Sequence, residues 1–225
     1  MQKILLTITP QQWVILGAFL VILIPIAVGF SRYKKLSVIQ QRILLFCVVA
    51  FCLDGVGRVF WIFSIPNLFL GHLSTIAEFL LLANVYRFAL RGFIKPKVIP
   101  VAMILFTALA ITNTLFLQGF KFNNSNIKII ESAVLIIFTL IFFYKLASEM
   151  IVKRLEQYPM FWINSGVLIY FSSSLFVFLY SNYLLLYSKQ LGIQIWFIHA
   201  LFFILFYIIL AFSLWIVPRN SNSHG

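Results

Sequence analysis

The stretch Leu70–Arg87, LGHLSTIAEFLLLANVYR, decides how this chain is read. At a helical rise of about 1.5 Å per residue it is long enough to cross a bilayer core. Yet it carries His72 near one end and Glu78 well inside. Insertion scales put Asp, Lys or Arg at the centre of a membrane helix at about 2.5–3.5 kcal/mol, so an ionisable group there is a functional-site hypothesis by default. Asp54, Arg58, Glu131 and His199, each inside another apolar stretch, are the candidate partners.

Outward from that stretch the composition agrees. The 225 residues are 63% apolar and 10% charged, against roughly 45–50% and about 25% in soluble proteins. Mean hydropathy is +1.05. Several apolar runs near twenty residues predict an all-α, polytopic membrane protein. No polar stretch is long enough for a separate soluble domain, so residues 1–225 read as one transmembrane domain.

The net charge of +12 does not point to nucleic acid, because nearly all basic residues lie in short loops or at span ends, where they serve topology. Cys47 and Cys52 share one apolar stretch at a spacing that suits neither an internal disulfide nor a zinc pair. They read as small buried side chains. The first apolar run, Trp13–Phe30, is too long for a signal-peptide core. Its basic flank, Ser31-Arg32-Tyr33-Lys34-Lys35, follows it, with only Lys3 before. A retained first helix is expected.

Seven spans follow, at about 11–31, 42–63 and 69–90, a fourth that follows Pro96 and Pro100 and extends to about Leu117, and then 127–146, 160–184 and 194–217. Pro25 predicts a kink in the first. Pro10, Pro66, Pro96, Pro100, Pro159 and Pro218 fall near span ends, where a missing N–H costs least. Residues 118–126 form a polar loop. Spans three and five each carry a Glu and end in Tyr-basic, but the Glu-to-Tyr spacings differ and seven spans do not divide into halves, which argues against an inverted-repeat transporter.

Counting Lys and Arg loop by loop orients the chain. One side receives Arg32, Lys34, Lys35, Arg42, Arg87, Arg91, Lys95, Lys97, Lys145, Lys153, Arg154 and Arg219; the other receives Lys3, Lys121, Lys128 and Lys189. The imbalance predicts the N-terminus outside and the C-terminus in the cytoplasm. Trp13, Trp61 and Trp196 near the outer boundary, with Trp162 and Trp215 near the inner one, fit an aromatic belt.

Depth then follows from the helical rise. Glu131 is placed roughly 6 Å below the outer boundary, Arg58 and His199 about 7–8 Å, and Asp54 and Glu78 about 13–14 Å, with His72 at the rim. A polar pocket opening outward is predicted. Asp54 and Arg58, four apart on one helix face, can pair. The set counts three carboxylates, two histidines and one fixed cation, Arg58, so a bound cation would balance it. That makes a divalent metal such as zinc the cofactor to test, with His72, Glu78, Glu131 and His199 as ligands. Spacing gives no support: no HxxxH or HExxH is present, and His72 and Glu78 point about 120° apart.

Span six adds Asn164, Ser165, Ser172, Ser173, Ser174, Ser181 and Asn182, residue types that more often mediate close helix packing than catalysis. No nucleophile elbow is present. Span seven holds no lysine for a retinal. The basic patch from Arg87 to Lys97, with Lys34 and Lys35, reads as the topology signal and also as a surface for anionic lipid or a cytoplasmic partner.

Four stretches carry a resemblance: HLSTIAEFLLL (72–82), IIESAVLIIFTLIFFYKL (129–146), PMFWINSGVLIYFSSSLFVFLYSN (159–182) and IWFIHALFF (195–203). Together the set resembles a group of small seven-helix membrane proteins of Bacteroidota-type bacteria, some encoded near sensor histidine kinases. His72, Glu78, Glu131, Asn164, Ser165 and His199 are the matching positions, and the resemblance assigns them no chemistry. It implies a bacterial inner membrane and a link to signalling by association. The alkaline ceramidase and adiponectin-receptor superfamily, seven-helix zinc hydrolases, pairs two histidines on its last helix. Here His199 stands with Phe203 one turn on.

Three functions remain open. The first is a sensory or ligand-binding protein in which Asp54, Arg58, Glu78, Glu131, Asn164 and His199 bind a small polar ligand or ion and a histidine kinase or other cytoplasmic partner reads the change. Titration of His199 between about pH 5 and 8 gives a pH-sensing variant. The second is a metal-dependent hydrolase acting on lipid, with Glu78 as general base. The third is a structural or assembly subunit.

Overall fold

In the computed structural model, residues 9–117, 124–149, 154–187 and 189–216 are described, with side chains omitted at 181–187 and 189. Lys3, Lys121, Lys153, Pro218, Arg219, most of the 118–126 loop, and the side chains of Ser181, Asn182 and Lys189 lie outside the description.

Thr9 and Gln12 open the first helix with a capping box: the Thr9 hydroxyl accepts from the Gln12 N–H at 3.4 Å, and the Gln12 side chain accepts from the Thr9 N–H at 2.8 Å. Helix α1 runs Pro10–Ser31, tightened to a 3₁₀ turn at Ala18–Ile22. Pro25 explains that turn, since it has no N–H for the Val21 carbonyl and its ring crowds it. A second capping box, Ser37 with Gln40, starts α2, Val38–Ile62.

The chain leaves α2 through a Schellman turn: Ile65 N–H donates to the Phe60 carbonyl at 2.8 Å and Ser64 N–H to Trp61 at 3.0 Å, with Ser64 at a left-handed φ of 57°. Then come α3, Leu68–Ala89; α4, Val98–Leu117, whose last turn widens into a π-helical one at Asn113–Leu117; and α5, Ser125–Glu149. Helices α6, Pro159–Tyr187, and α7, Lys189–Trp215, complete the set.

Among the described residues, seven helices are long and apolar enough to cross a membrane, as the apolar runs predicted. Each packs on its neighbour in sequence, α7 closes the ring against α1, α3 also touches α5, and α4 is held mainly by α3. Gly166 lets α6 approach α7 closely, because a Cβ there would lie 3.1 Å from Ile209 Cγ2. The outer surface is apolar, with Leu20, Ile104, Leu105, Phe116 and Phe176 all more than half exposed. Such a belt fits lipid, not water.

The two ends of the bundle differ. At the lysine- and arginine-rich end, Gln40 Nε2 donates to the carbonyls of Ser213 at 2.7 Å and Ile216 at 2.8 Å. Arg32 bonds the Trp215 carbonyl and stacks 3.8 Å over its ring. Those contacts satisfy the last carbonyls of α7 and tie it to α1 and α2. The other end holds a cavity of about 480 Å³.

Candidate ligand-binding site

Between α2, α3, α5, α6 and α7, a cavity of about 480 Å³ reaches from Trp61 and Asn67 at the end of the bundle down to Phe46, Ala50 and Tyr207. The Schellman turn after α2 shapes its mouth, because it lets Asn67 Nδ2 donate back to the Gly57 carbonyl at 2.8 Å. Asp54, Arg58, Glu78, Lys128, Asn124, Ser74, Tyr170 and Tyr207 line it with polar atoms. Phe46, Leu53 and Phe203 supply apolar wall. Mostly apolar lining with a few convergent polar groups is the usual build of a small-molecule site.

Lys128 organises the charges. Its ammonium pairs with Glu78 on α3 and, at 2.9 Å, with Glu131 one turn along α5. Glu131 is wholly buried behind it, and its Oε1 has no hydrogen-bond partner among the described residues. Ion pairs at this depth hold only when the partners stay together, since removing one leaves a charge without water. Counted as one of the loop cations of the topology signal, Lys128 instead belongs to the polar set, which has two fixed cations and not one. Its signal in the sequence was the i, i+3 spacing to Glu131.

Asp54 and Arg58 behave differently. Both line the cavity, one turn apart, but no ion pair joins them among the described residues, contrary to the expected pairing. Arg58 instead lays its guanidinium 4.3 Å over the Phe19 ring of α1, leaving Nε without a hydrogen-bond partner. With Asp54, Glu78 and Glu131 against Arg58 and Lys128, the set carries one formal negative charge in excess when all are ionised.

The other expected residues lie off the cavity. Asn164 on α6 accepts from the Tyr86 hydroxyl at 2.8 Å and donates to the Thr139 carbonyl at 3.2 Å, which clamps α3, α5 and α6 together. His72, expected at the rim, is 3% exposed, with Nδ1 2.8 Å from Thr114 Oγ1 on α4. His199 stacks on Tyr170 with ring centres 5.5 Å apart and meets Phe178 and Trp196 edge-on. It does not line the cavity but stacks on Tyr170, which does.

The structure thus brings Asp54, Arg58 and Glu78 to one cavity and Glu131 to its back wall. It does not gather the metal set. Among the described residues no three of His, Cys, Asp or Glu converge as a metal site requires, and Lys128 already occupies the space between Glu78 and Glu131. The donors His72, Glu78, Glu131 and His199 do not fit zinc together. Tyr170 and Tyr207, which no sequence motif singles out, also line the cavity. Comparison with protein-family models, with curated proteins and with solved structures returned no match to this chain.

Proposed function

We propose that this chain is a multi-pass membrane protein that binds a small amphoteric solute in the α2–α3–α5 cavity and acts as a ligand-binding or sensory protein. One observation carries the reading. Asp54 and Arg58 face one cavity with no ion pair to each other or to another side chain among the described residues, while Lys128 is already paired with Glu78 and Glu131. Opposite charges held apart at low dielectric are costly unless a third group bridges them. A solute with an ammonium for Asp54 and a carboxylate for Arg58, of the α-amino-acid class, does so. The excess negative charge makes the ammonium the stronger anchor.

The orientation belongs to the same proposal. The lysine and arginine imbalance supports an N-terminus outside, a C-terminus in the cytoplasm and a cavity that opens outward. Placement in a bacterial inner membrane and readout by a histidine kinase or other cytoplasmic partner rest on the resemblance to the Bacteroidota-type seven-helix proteins. No residue arrangement favours the hydrolase reading, which needs a metal-bound water.

The test is thermal unfolding of detergent-purified protein with common α-amino acids, their amides and their N-acetyl derivatives. A free amino acid that binds raises stability by about 2.7 kcal/mol at a hundred times its Kd. The amide gives less, the N-acetyl compound least, and Asp54→Asn or Arg58→Gln removes the shift. No stabilisation by any free amino acid refutes the proposed ligand class.

A further inference from the structure

At the opposite, basic end, a second cavity of about 430 Å³ lies where α3 ends and α4 begins, lined by Arg87, Phe88, Leu90, Arg91, Lys95 and Ile99 with their neighbours. Its lining has two characters. Arg87, Arg91 and Lys95 are exposed, and none makes an ion pair among the described residues. No acidic residue lines it. The floor is apolar, with Leu90 at 0% and Ile99 at 2% exposure. Phe88 forms a wall that is fixed from α2, since the Arg42 guanidinium lies 3.8 Å over its ring.

The surroundings favour an anion. Lys145 of α5 donates to the carbonyls of Ala89 at 3.0 Å and Arg91 at 3.3 Å, which covers the negative end of α3. Glu149, an acid at that end, lies 4.0 Å from Lys145 and makes no ion pair with the three cations among the described residues. Gly92, at a φ of +80°, makes the turn that brings Arg91 and Lys95 to one hollow. The start of α4 has no acid in its first turn, so no carboxylate there opposes an anion.

Depth identifies the source of the anion. The hollow joins two spans, Leu68–Ala89 and Val98–Leu117, at their ends. That is headgroup level, with the apolar floor on the hydrocarbon side. A topology signal needs only charge; it does not need a walled hollow with an apolar base.

The geometry points to a binding site for the phosphate of an anionic phospholipid, with Arg87, Arg91 and Lys95 on the phosphate oxygens and Phe88, Leu90 and Ile99 against the glycerol and upper acyl chain. Arginine suits phosphate because its planar fork donates two parallel hydrogen bonds. The site is separate from the solute cavity and does not depend on it.

Native mass spectrometry of the detergent-purified chain, titrated with phosphatidylglycerol and with phosphatidylcholine of the same acyl chains, tests it. One phosphatidylglycerol is retained in preference to phosphatidylcholine. Arg91→Gln with Lys95→Gln weakens that binding roughly thirtyfold, the effect of two cations near a lipid surface. Lys34→Gln with Lys35→Gln removes the same charge from the same end and leaves binding nearly unchanged. Equal retention of the two lipids, which requires no variant, overturns the proposal, as does equal loss in both double variants. Inorganic phosphate separates the sources: if it alone displaces the lipid and stabilises the chain, the site takes a soluble anion and the lipid assignment falls.

Discussion

Lys128 and Glu131 stand one turn apart at the start of α5, with ammonium and carboxylate 2.9 Å apart and the carboxylate shut off from solvent. The same ammonium holds Glu78 across on α3. A single cation thus pairs with two carboxylates from two helices, and the back wall of the cavity depends on it.

Lys128→Met therefore leaves two neighbouring carboxylates without their cation, one of them, Glu131, shut off from solvent. Breaking a buried pair from one side costs about 3–5 kcal/mol, so the melting temperature in detergent falls sharply. Adding Glu78→Gln and Glu131→Gln to Lys128→Met recovers most of the loss. Equal instability of the single and the triple variant would show that the charges are not what Lys128 compensates.

Tyr86 and Asn164 make a purely structural bond, 2.8 Å long and wholly buried. Tyr86→Phe lowers stability by about 1 kcal/mol, since hydrogen bonds between membrane helices average near 0.6 and reach about 1.7 kcal/mol. Chemical unfolding in mixed micelles measures it. Solute-induced stabilisation stays intact, which separates this clamp from the cavity.

Direction of opening is tested by labelling. Ser74 lines the cavity and Lys34 sits in the exposed basic turn after α1. In a background carrying Cys47→Ala and Cys52→Ala, a membrane-impermeant maleimide added to intact cells reacts with Ser74→Cys and not with Lys34→Cys. The reverse pattern inverts the proposed topology.

Metal removal has no effect on this account. His72 and His199 are held by Thr114 and Tyr170, away from Glu78 and Glu131. Dialysis against a chelator leaves the melting temperature unchanged. Stoichiometric zinc, lost together with stability in Glu131→Ala, would restore the metal hypothesis.

The spans were legible because long apolar runs in lipid leave the backbone little choice but helix. Glu78 and Asp54 were legible together because their depths agree, and Arg58 because it lies one helical turn from Asp54. The facing of His72 and His199 was not. A helix apolar on all sides has no stripe to say which face turns inward, and α4 lying against α3, with α3 reaching α5, is a packing outcome. Lys128 escaped for another reason. A lysine two residues into an expected span reads as topology, and only the start of α5 at Ser125, with Glu78 fifty positions earlier facing it, makes it a partner.

Equilibrium dialysis of the radiolabelled amino acid that gives the largest thermal shift, against purified chain and Asp54→Asn, tests the central claim most directly. The account predicts saturable binding at one solute per chain, lost in Asp54→Asn while that variant stays folded. Saturable binding that Asp54→Asn leaves unchanged, or none by any free amino acid, would contradict it.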